Sequence, residues 1–205
     1  METYKGGYKN FCIRPDSREW NMDNEERVLI QRCQQGDRDA YEQLFLRYKD
    51  AVYNVAYGML SNTEDAQDMT QEVFLRVFEK ISQFRFKSSF STWLYRIAVN
   101  ICLDERRKRQ KRHANAAELT ERYKRMRPSV NTPEDELLKK ERQSQLQQAF
   151  ANLKEAHRTI LVLREMEGLS YDELAKVLKC STGRVKSRLH EARMELRQKV
   201  QRLAS

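Results

Sequence analysis

The sequence contains little of what breaks regular structure or anchors a chain in a membrane. Only 6 glycines and 3 prolines occur among its 205 residues. No apolar run approaches the roughly 18 residues of a membrane-spanning helix, and the amino terminus lacks the apolar centre of a signal peptide. These absences favour a helical, well-solvated protein and place it in the cytoplasm.

Sites built from cysteine or histidine are also disfavoured. The three histidines are scattered, and the four cysteines form no CxxC pair; they are Cys12, Cys33, Cys102 and Cys180. This spacing predicts neither a zinc site nor a disulfide framework. Cys33 and Cys102 fall on apolar helix stripes, so we expect them to be small buried hydrophobes. We expect no metal and no cofactor.

Charge is what the chain has in abundance. Charged residues make up 34% of the sequence, and the net charge is +9. Such an excess favours a polyanionic partner and a salt-dependent interaction with it. An anionic membrane surface would suit the same charge, but the most basic helix needs its apolar side for a core. Nucleic acid is therefore the favoured partner.

Apolar residues recur at three- and four-residue spacing along most of the chain and predict an all-α fold of two small helical domains. Residues 1–24 are polar and aperiodic and form an amino-terminal extension of unknown role. The first domain is expected over residues 25–113. Residues 114–132 mix charged and small side chains and predict a flexible linker. The second domain follows over residues 133–205.

Helix boundaries in the first domain are marked by capping residues. Gly36 should end a short first helix, and Asp37 should cap a long second one. Ser61 or Thr63 can cap the third helix, because Glu64 follows in the first turn, where its charge suits the helix dipole. The buried stripe of this third helix should consist of Ala66, Met69, Val73, Phe74, Val77, Phe78 and Ile81.

A row of acidic side chains on the third helix is unusual in so basic a protein. Asp65, Asp68 and Glu72 recur at helical spacing, with Gln71 beside them. Three interpretations compete: a solvated face, a metal site for nuclease chemistry, or a surface that docks a basic protein helix. The metal site lacks a nearby general base or further ligands. Docking fits better, since exposed carboxylates govern association rate and partner choice.

The segment from Phe84 to Arg112 carries two incompatible faces on one helix. One face is an apolar stripe suited to a core; it comprises Trp93, Leu94, Ile97, Ala98, Ile101 and Cys102. The other face carries Arg96, Asn100, Asp104 and Arg107. Cationic groups hold phosphates, and an amide can pair with a base edge. This second face is therefore a candidate nucleic-acid surface, and the cluster of arginines and lysines over residues 106–112 extends it.

A short polar loop precedes this helix. It consists of Lys87, Ser88 and Ser89, bracketed by Phe84, Phe86 and Phe90. Aromatic side chains beside basic ones are suited to holding an unstacked base. The alternative is structural, with the aromatic residues as core anchors and the charged run as a solvated helix end.

The second domain contains a helix-turn-helix pattern. Ser170 and Glu173 form a capping box for a short helix, residues 179–181 form a tight turn, and Ser181 or Thr182 opens a basic second helix. The candidates for base and phosphate contacts are Thr182, Arg184, Lys186, Ser187, Arg188, His190 and Arg193. The alternative is a helical hairpin that only packs.

Taken together, the motifs resemble a known family. The blocks that carry the resemblance are GDRDAYEQLFLRY, EDAQDMTQEVFLRVFEKI, FSTWLYRIAVNICLDERRK and LSYDELAKVLKCSTGRVKSRLHEAR. In this order they resemble the extracytoplasmic-function (ECF) type of bacterial sigma factor, within the sigma-70 group, over about residues 26–200. The resemblance implies a two-domain helical protein that binds core RNA polymerase and confers promoter recognition, without enzyme chemistry or a small-molecule substrate.

By this resemblance the first domain is similar to sigma region 2. The acidic residues Asp65, Asp68, Gln71 and Glu72 then meet the coiled coil of the polymerase beta-prime subunit. The loop from Phe84 to Phe90 captures a base flipped from the non-template strand of the minus-ten element. The residues implied in minus-ten binding are Phe84, Lys87, Phe90, Trp93, Arg96, Asn100 and Arg107.

The second domain resembles sigma region 4, whose helix from Ser181 enters the major groove of the minus-thirty-five element. His190 and Glu191 depart from better-known relatives, so the bases they read are left open. The resemblance also implies a linker that follows the RNA exit path of the polymerase, contacts with the beta-prime and beta subunits, and an anti-sigma partner.

Two functions of other classes compete with a sigma factor. A stand-alone helix-turn-helix repressor would need only the second domain and would bind a palindromic site as a dimer. A nuclease would use Asp65, Asp68 and Glu72 to hold a metal ion. The repressor has no use for the aromatic loop or for the acidic row.

Overall fold

The structure, a computed structural model, describes residues 24–117 and 148–204. All regular secondary structure in these two ranges is helical. This confirms the all-α prediction. No helix in the described ranges is both long and apolar enough to cross a bilayer.

The first domain is a bundle of four helices. They are α1 (Asn24–Gln34), α2 (Arg38–Leu60), α3 (Thr63–Lys80) and α4 (Phe90–Ala117), with a short 3₁₀ turn (Ile81–Gln83) after α3. Helix α4 continues four residues beyond the expected boundary at residue 113. The rest of the expected linker, and the start of the second domain near Pro133, lie outside the described residues.

The helix caps of this domain agree with the sequence at one site and differ at another. The Asp37 side chain accepts a hydrogen bond from the Ala40 amide, as predicted for the cap of α2. The prediction of Ser61 or Thr63 as the cap of α3 is wrong, because the Asn62 side chain accepts from the Asp65 amide at 3.0 Å. Ser61 instead ends α2 with a left-handed φ of 57°, which leaves Asn62 extended before the new helix.

The second domain begins in the described chain with helical residues 148–151 and continues through a helix-turn-helix. Its elements are α5 (Glu155–Leu161), a π-helical turn (Val162–Met166), α6 (Tyr171–Leu178) and α7 (Thr182–Ala204). The predicted capping box is confirmed: Ser170 accepts from the Glu173 amide, and the Glu173 carboxylate accepts from the Ser170 amide at 2.7 Å. Lys179, at φ 51°, makes the turn between α6 and α7.

One apolar core runs through both domains. It extends from Leu44 and Val52 of α2 to Ile160 of α5 and Leu174 of α6. At the crossing point, Gly58 of α2 lies against the π-helical turn, so close that an added Cβ would be 2.7 Å from Val162 Cγ2. The two domains therefore pack against each other in this structure.

Candidate nucleic-acid interface and docking row

The aromatic loop before α4 is largely part of the core. Phe84 is 4% exposed and Phe90 is completely buried. In this structure neither ring therefore offers a face to a base, and the role of these two residues in minus-ten binding stays a prediction. Their rings pack edge to face on each other, with centroids 5.6 Å apart, and anchor both ends of the loop.

Phe86 is the loop aromatic that remains accessible. It is half-buried and has a φ of 56°, in the left-handed region that non-glycine residues seldom adopt. Its ring centroid lies 4.9 Å from that of Phe84. The guanidinium of Arg27, in α1, lies 5.1 Å from the centroid of the Phe86 ring. A flat cationic and aromatic surface is thus present beside the loop.

The main chain of the loop is held from both ends. The side-chain amide of Gln34 donates to the carbonyls of Ile81 and Phe84, each at 2.9 Å. The Ser89 hydroxyl accepts from the Thr92 amide at 3.2 Å and so caps α4. Sequence patterns did not indicate Gln34 or Arg27, because both contact residues 47 to 59 positions further along the chain.

The outer face of α4 presents the polar residues that the sequence indicated. Asn100 is exposed and Arg96 is half-buried. Arg107 is exposed, 3.3 Å from Asp104 and 3.9 Å from Glu155 of the second domain. Two further minus-ten candidates flank this face: Lys87 is exposed in the loop, and Trp93 is half-buried with its ring 5.4 Å from that of Phe84.

The acidic row on α3 contains fewer free carboxylates than expected. Asp68 and Gln71 are exposed, and Glu72 is partly exposed beside Arg76 at 3.4 Å. Asp65 differs: its side chain is only 15% exposed and forms an ion pair with Arg109 of α4. The prediction that Asp65 belongs to an outward-facing row is therefore wrong, because this carboxylate binds the helix behind it.

Apolar side chains widen the outer face of α3. Leu75 is 61% exposed and lies between Glu72 and Glu79 at helical spacing. Phe78, expected in the core, is 58% exposed and touches Tyr41 edge-on, with centroids 5.0 Å apart. We name Asp68, Gln71, Glu72 and Leu75 the α3 docking face. Its mixture of carboxylates and one large apolar side chain suits a basic amphipathic helix.

Helix α7 presents its amino-terminal half to solvent. The exposed candidates are Thr182, Arg184, Lys186, Ser187 and His190, and Arg188 is half-buried. The Ser181 hydroxyl accepts from the Arg184 amide at 3.3 Å, so Ser181 supplies the predicted cap. The exposed Arg193 is paired with Glu165 at 2.7 Å, an ion pair that raises the pKa of Arg193.

A histidine clamp joins α5 to α7 beneath this surface. The buried His157 places Nδ1 2.5 Å from Glu195 and Nε2 3.5 Å from Glu191. Burial alone would raise the pKa of Glu195, but the hydrogen bonds to His157 and to the Lys154 main chain bring that pKa below its usual range. Glu191, 63% exposed, keeps an accessible carboxylate beside His190.

Within the described residues, acidic clusters and two of the cysteines can be tested for metal and thiol chemistry. Across the described ranges, no cluster of three or more His, Cys, Asp and Glu side chains could hold a metal ion. The nuclease hypothesis also loses its triad, since Asp65 faces Arg109. Burial raises the pKa of Cys33 to about 11 and that of Cys102 to about 12, as expected of thiols packed in a core.

Family comparisons agree with this two-part arrangement. The chain matches the family described as Sigma-70 region 2 over residues 44–112, and that described as Sigma-70, region 4 over residues 143–196. Most of α2, all of α3 and most of α4 lie in the first match, and α5 to α7 begin in the second. The α3 docking face and the candidate residues on α4 and α7 therefore fall within the two matched regions, whereas Arg27 and Gln34 of α1 lie outside them.

Relatives cover most of the chain. It is 35% identical over 179 residues to the ECF RNA polymerase sigma factor SigW of Bacillus subtilis, covering 85% of this chain and 96% of the relative. It is 37% identical over 184 residues to the ECF RNA polymerase sigma-E factor of Haemophilus influenzae, covering 87% of this chain and 96% of the relative.

Two solved structures share the fold. One is CnrH in complex with the cytosolic domain of CnrY, with a TM-score of 0.60, 24% identity, and coverage of 84% of this chain and 94% of that one. The other is the sigma factor RpoE in complex with the anti-sigma factor NepR from Bartonella quintana, with a TM-score of 0.61, 22% identity, and coverage of 78% and 96%. With both family regions matched and relatives aligned over nearly their whole length, the chain belongs to the ECF sigma factors of bacterial RNA polymerase.

Proposed function

We propose that this protein binds core RNA polymerase through the α3 docking face and directs it to promoters by contacts at two DNA elements. Region 2 spans residues 25–113 and region 4 spans residues 133–205 in this proposal. The observation that carries it is the presence on one chain of two separate cationic surfaces, one on α4 and one on α7, together with a carboxylate face on α3.

The surface on α4 binds the opened minus-ten strand. Asn100 is the base-reading group, because an exposed amide can both donate to and accept from a base edge. Arg96 and Arg107 lie on the same side of the helix and hold phosphates. Lys87 extends this cationic path to the loop, where Phe86 and the partly accessible Trp93 contact the displaced base.

The surface on α7 binds the minus-thirty-five element as duplex. Residues near the amino terminus of a recognition helix reach base edges in the major groove, which assigns base contacts to Arg184, Lys186 and Arg188. Arg193, further along the helix, binds phosphate. Its pairing with Glu165 fixes the guanidinium until DNA replaces the carboxylate.

An anti-sigma factor controls the protein in this proposal. One solved structure with the same fold is described as the sigma factor RpoE in complex with the anti-sigma factor NepR, and another as CnrH in complex with the cytosolic domain of CnrY. The α3 docking face, with its exposed Leu75, is a surface for which such a partner would compete with polymerase.

The test is a comparison of DNA binding and transcription with and without core polymerase. The purified protein should give no tight, sequence-specific gel shift alone, and should direct initiation on genomic templates when core enzyme is added. Strong binding to a palindromic site by the isolated protein would support the repressor instead. Failure to initiate on any template would refute the proposal.

A further inference from the structure

The first helix reaches the loop that precedes α4 through a side-chain amide. Both N–H groups of Gln34 are used, one on the Ile81 carbonyl and one on the Phe84 carbonyl. These carbonyls lie at the two ends of the 3₁₀ turn: Ile81 begins it, and its carbonyl also accepts from the Phe84 amide, while Phe84 directly follows it. Gln34 therefore sets the direction in which the loop leaves α3.

Helix α1 is packed firmly into the core of the first domain, so it can support the loop before α4. Ile30 is completely buried and Cys33 is 6% exposed. The Tyr48 hydroxyl donates to the Glu26 carboxylate, and the Tyr48 ring packs on Phe90 with centroids 5.3 Å apart. Glu26, the neighbour of Arg27 in α1, is thus tied through Tyr48 to the same aromatic cluster that anchors the loop.

Arg27 and Phe86 form a stack at the surface. The Phe86 ring rests against the buried Phe84, and the exposed guanidinium of Arg27 lies over it at 5.1 Å. An arginine guanidinium is planar, and unpaired bases stack on such planes as well as on aromatic rings. The outermost layer of this stack is cationic, which also favours the phosphate of an approaching nucleotide.

We propose that Arg27, supported by Phe86, is a stacking site for the base displaced from the minus-ten strand, and that Gln34 is a positioning residue that holds the loop in the shape this site requires. The inference rests on the proposed promoter-opening function and adds to it a contact from α1, outside the matched region 2. Phe84 and Phe90 then serve as the foundation of the site, consistent with their burial.

The test uses holoenzyme, assembled from core polymerase and each variant, on a fork-junction promoter with an unpaired non-template strand. Each unpaired position carries in turn its natural base or an abasic site. With the unchanged protein, removing the captured base should weaken binding about tenfold, the size expected for loss of one stacked base. That position then serves for all variants.

Arg27→Lys is the decisive variant, because it keeps the charge and removes the plane. It should weaken binding to the intact template about threefold or more and abolish most of the difference between intact and abasic templates. Arg27→Ala should show the same loss of base dependence and a further uniform loss from the missing charge. Arg38→Ala removes an exposed cation near the start of α2 and should leave the base dependence unchanged.

Gln34→Glu keeps the shape of the side chain and removes both donors. It should also reduce the difference between intact and abasic templates, whereas Gln31→Ala, an exposed change on the same helix, should not. Thermal unfolding of each variant checks that the domain is folded. Equal losses on both templates would make Gln34 merely structural and would overturn its assigned role.

The possible results distinguish a failure of the Arg27 stacking site from a failure of base capture itself. If the unchanged protein shows base dependence and Arg27→Lys retains it in full, the stacking site is refuted while base capture stands. If no unpaired position shows base dependence with the unchanged protein, base capture itself fails and the inference falls with it. Loss of base dependence in Arg27→Lys and Gln34→Glu, but not in the two controls, supports the proposal.

Discussion

Arg158 of α5 donates a hydrogen bond from Nη1 to the carbonyl oxygen of Met59, near the end of α2, at 3.0 Å. The same guanidinium donates to the carbonyls of Phe150 at 3.0 Å and of Ala151. Burial, together with the nearby Arg106 cation, lowers the pKa of Arg158 to about 10. One buried side chain thus satisfies carbonyls from both domains and joins their main chains.

Replacing Arg158 should destabilise the protein strongly. Arg158→Met keeps the aliphatic volume but removes the guanidinium donor from three carbonyls, of which that of Phe150 keeps the Leu153 amide, at a cost of about 3 kcal/mol in the free energy of unfolding. Urea denaturation followed by circular dichroism measures this change. Arg197→Met removes an exposed arginine from α7 and should alter stability by less than about 0.5 kcal/mol. Similar values for the two variants would refute the role of Arg158.

Any larger residue in place of Gly58, where α2 crosses the π-helical turn, should destabilise the protein. Gly58→Ala places a Cβ 2.7 Å from Val162 Cγ2 and 3.0 Å from Met166 Sδ. The expected destabilisation is about 1–2 kcal/mol, since overpacking outweighs the gain in helix propensity.

A double variant tests whether the Gly58 effect comes from this contact. Val162→Ala removes the methyl group that the new Cβ would meet, so Gly58→Ala should cost less in the Val162→Ala background than in the unchanged protein. Thermal or urea unfolding of all four proteins gives the coupling free energy. Simple additivity would show that the two domains are not packed at this point in solution.

The sequence predicted those features of the fold that depend on neighbouring residues. Asp37 and the Ser170 and Glu173 pair could be identified because a cap and its target are three residues apart. Side-chain placement was harder. Aromatic residues such as Phe84 and Phe90 are typical both of a loop that stacks on bases and of a hydrophobic core. Only the packing of α2 and α4 around these two rings shows that they belong to the core.

Contacts between distant segments could not be read from the sequence. Asp65 matched the spacing of an exposed row, but Arg109, which pairs with it, lies 44 residues further along the chain. Gln34 and Arg27 had no periodic feature that marked them out. Their roles arise because the loop before α4 lies against α1 in the folded protein, and a local sequence pattern does not specify that contact.

Acid should weaken the clamp between α5 and α7. The folded-state pKa of Glu195 lies below its ordinary value of 4.5, through its hydrogen bond to His157. A depressed carboxyl pKa contributes stability that is fully present above about pH 4.5 and is lost as the pH falls through the folded-state value. Unfolding free energies measured from about pH 6 to about pH 3 should therefore fall less in Glu195→Gln than in the unchanged protein.

Glu191→Gln is the matched comparison for this pH dependence. Its carboxylate is 63% exposed and lies 3.5 Å from the other ring nitrogen of His157, against 2.5 Å for Glu195. The change in pH dependence should be smaller for Glu191→Gln. A larger effect at Glu191 would contradict the assignment of the clamp to Glu195.

Charge reversal on the α3 docking face should weaken binding to core polymerase. Asp68→Lys together with Glu72→Lys places two cations where a basic helix is expected to dock, and should lower the affinity at least tenfold, or about 1.4 kcal/mol. Competition against a labelled sigma factor measures this affinity. Glu42→Lys, an exposed reversal on α2, is the control. Unchanged competition by the double variant would count against this face.

Asn100→Ala and Arg188→Ala should impair different steps of initiation. Asn100 faces solvent on α4, so its loss should reduce promoter opening, measured by permanganate reactivity of unpaired thymines, while duplex binding upstream is retained.

Arg188 lies on the recognition helix, and its loss should cost about 1–3 kcal/mol of upstream binding, with opening restored at high holoenzyme concentration. A template supplied with a premelted minus-ten bubble should rescue neither the upstream defect of Arg188→Ala nor the loss of the Asn100 base contact. Full transcription by both variants from a cognate promoter would reject these two assignments, whereas identical defects in both would show that the α4 and α7 surfaces do not act on separate DNA elements.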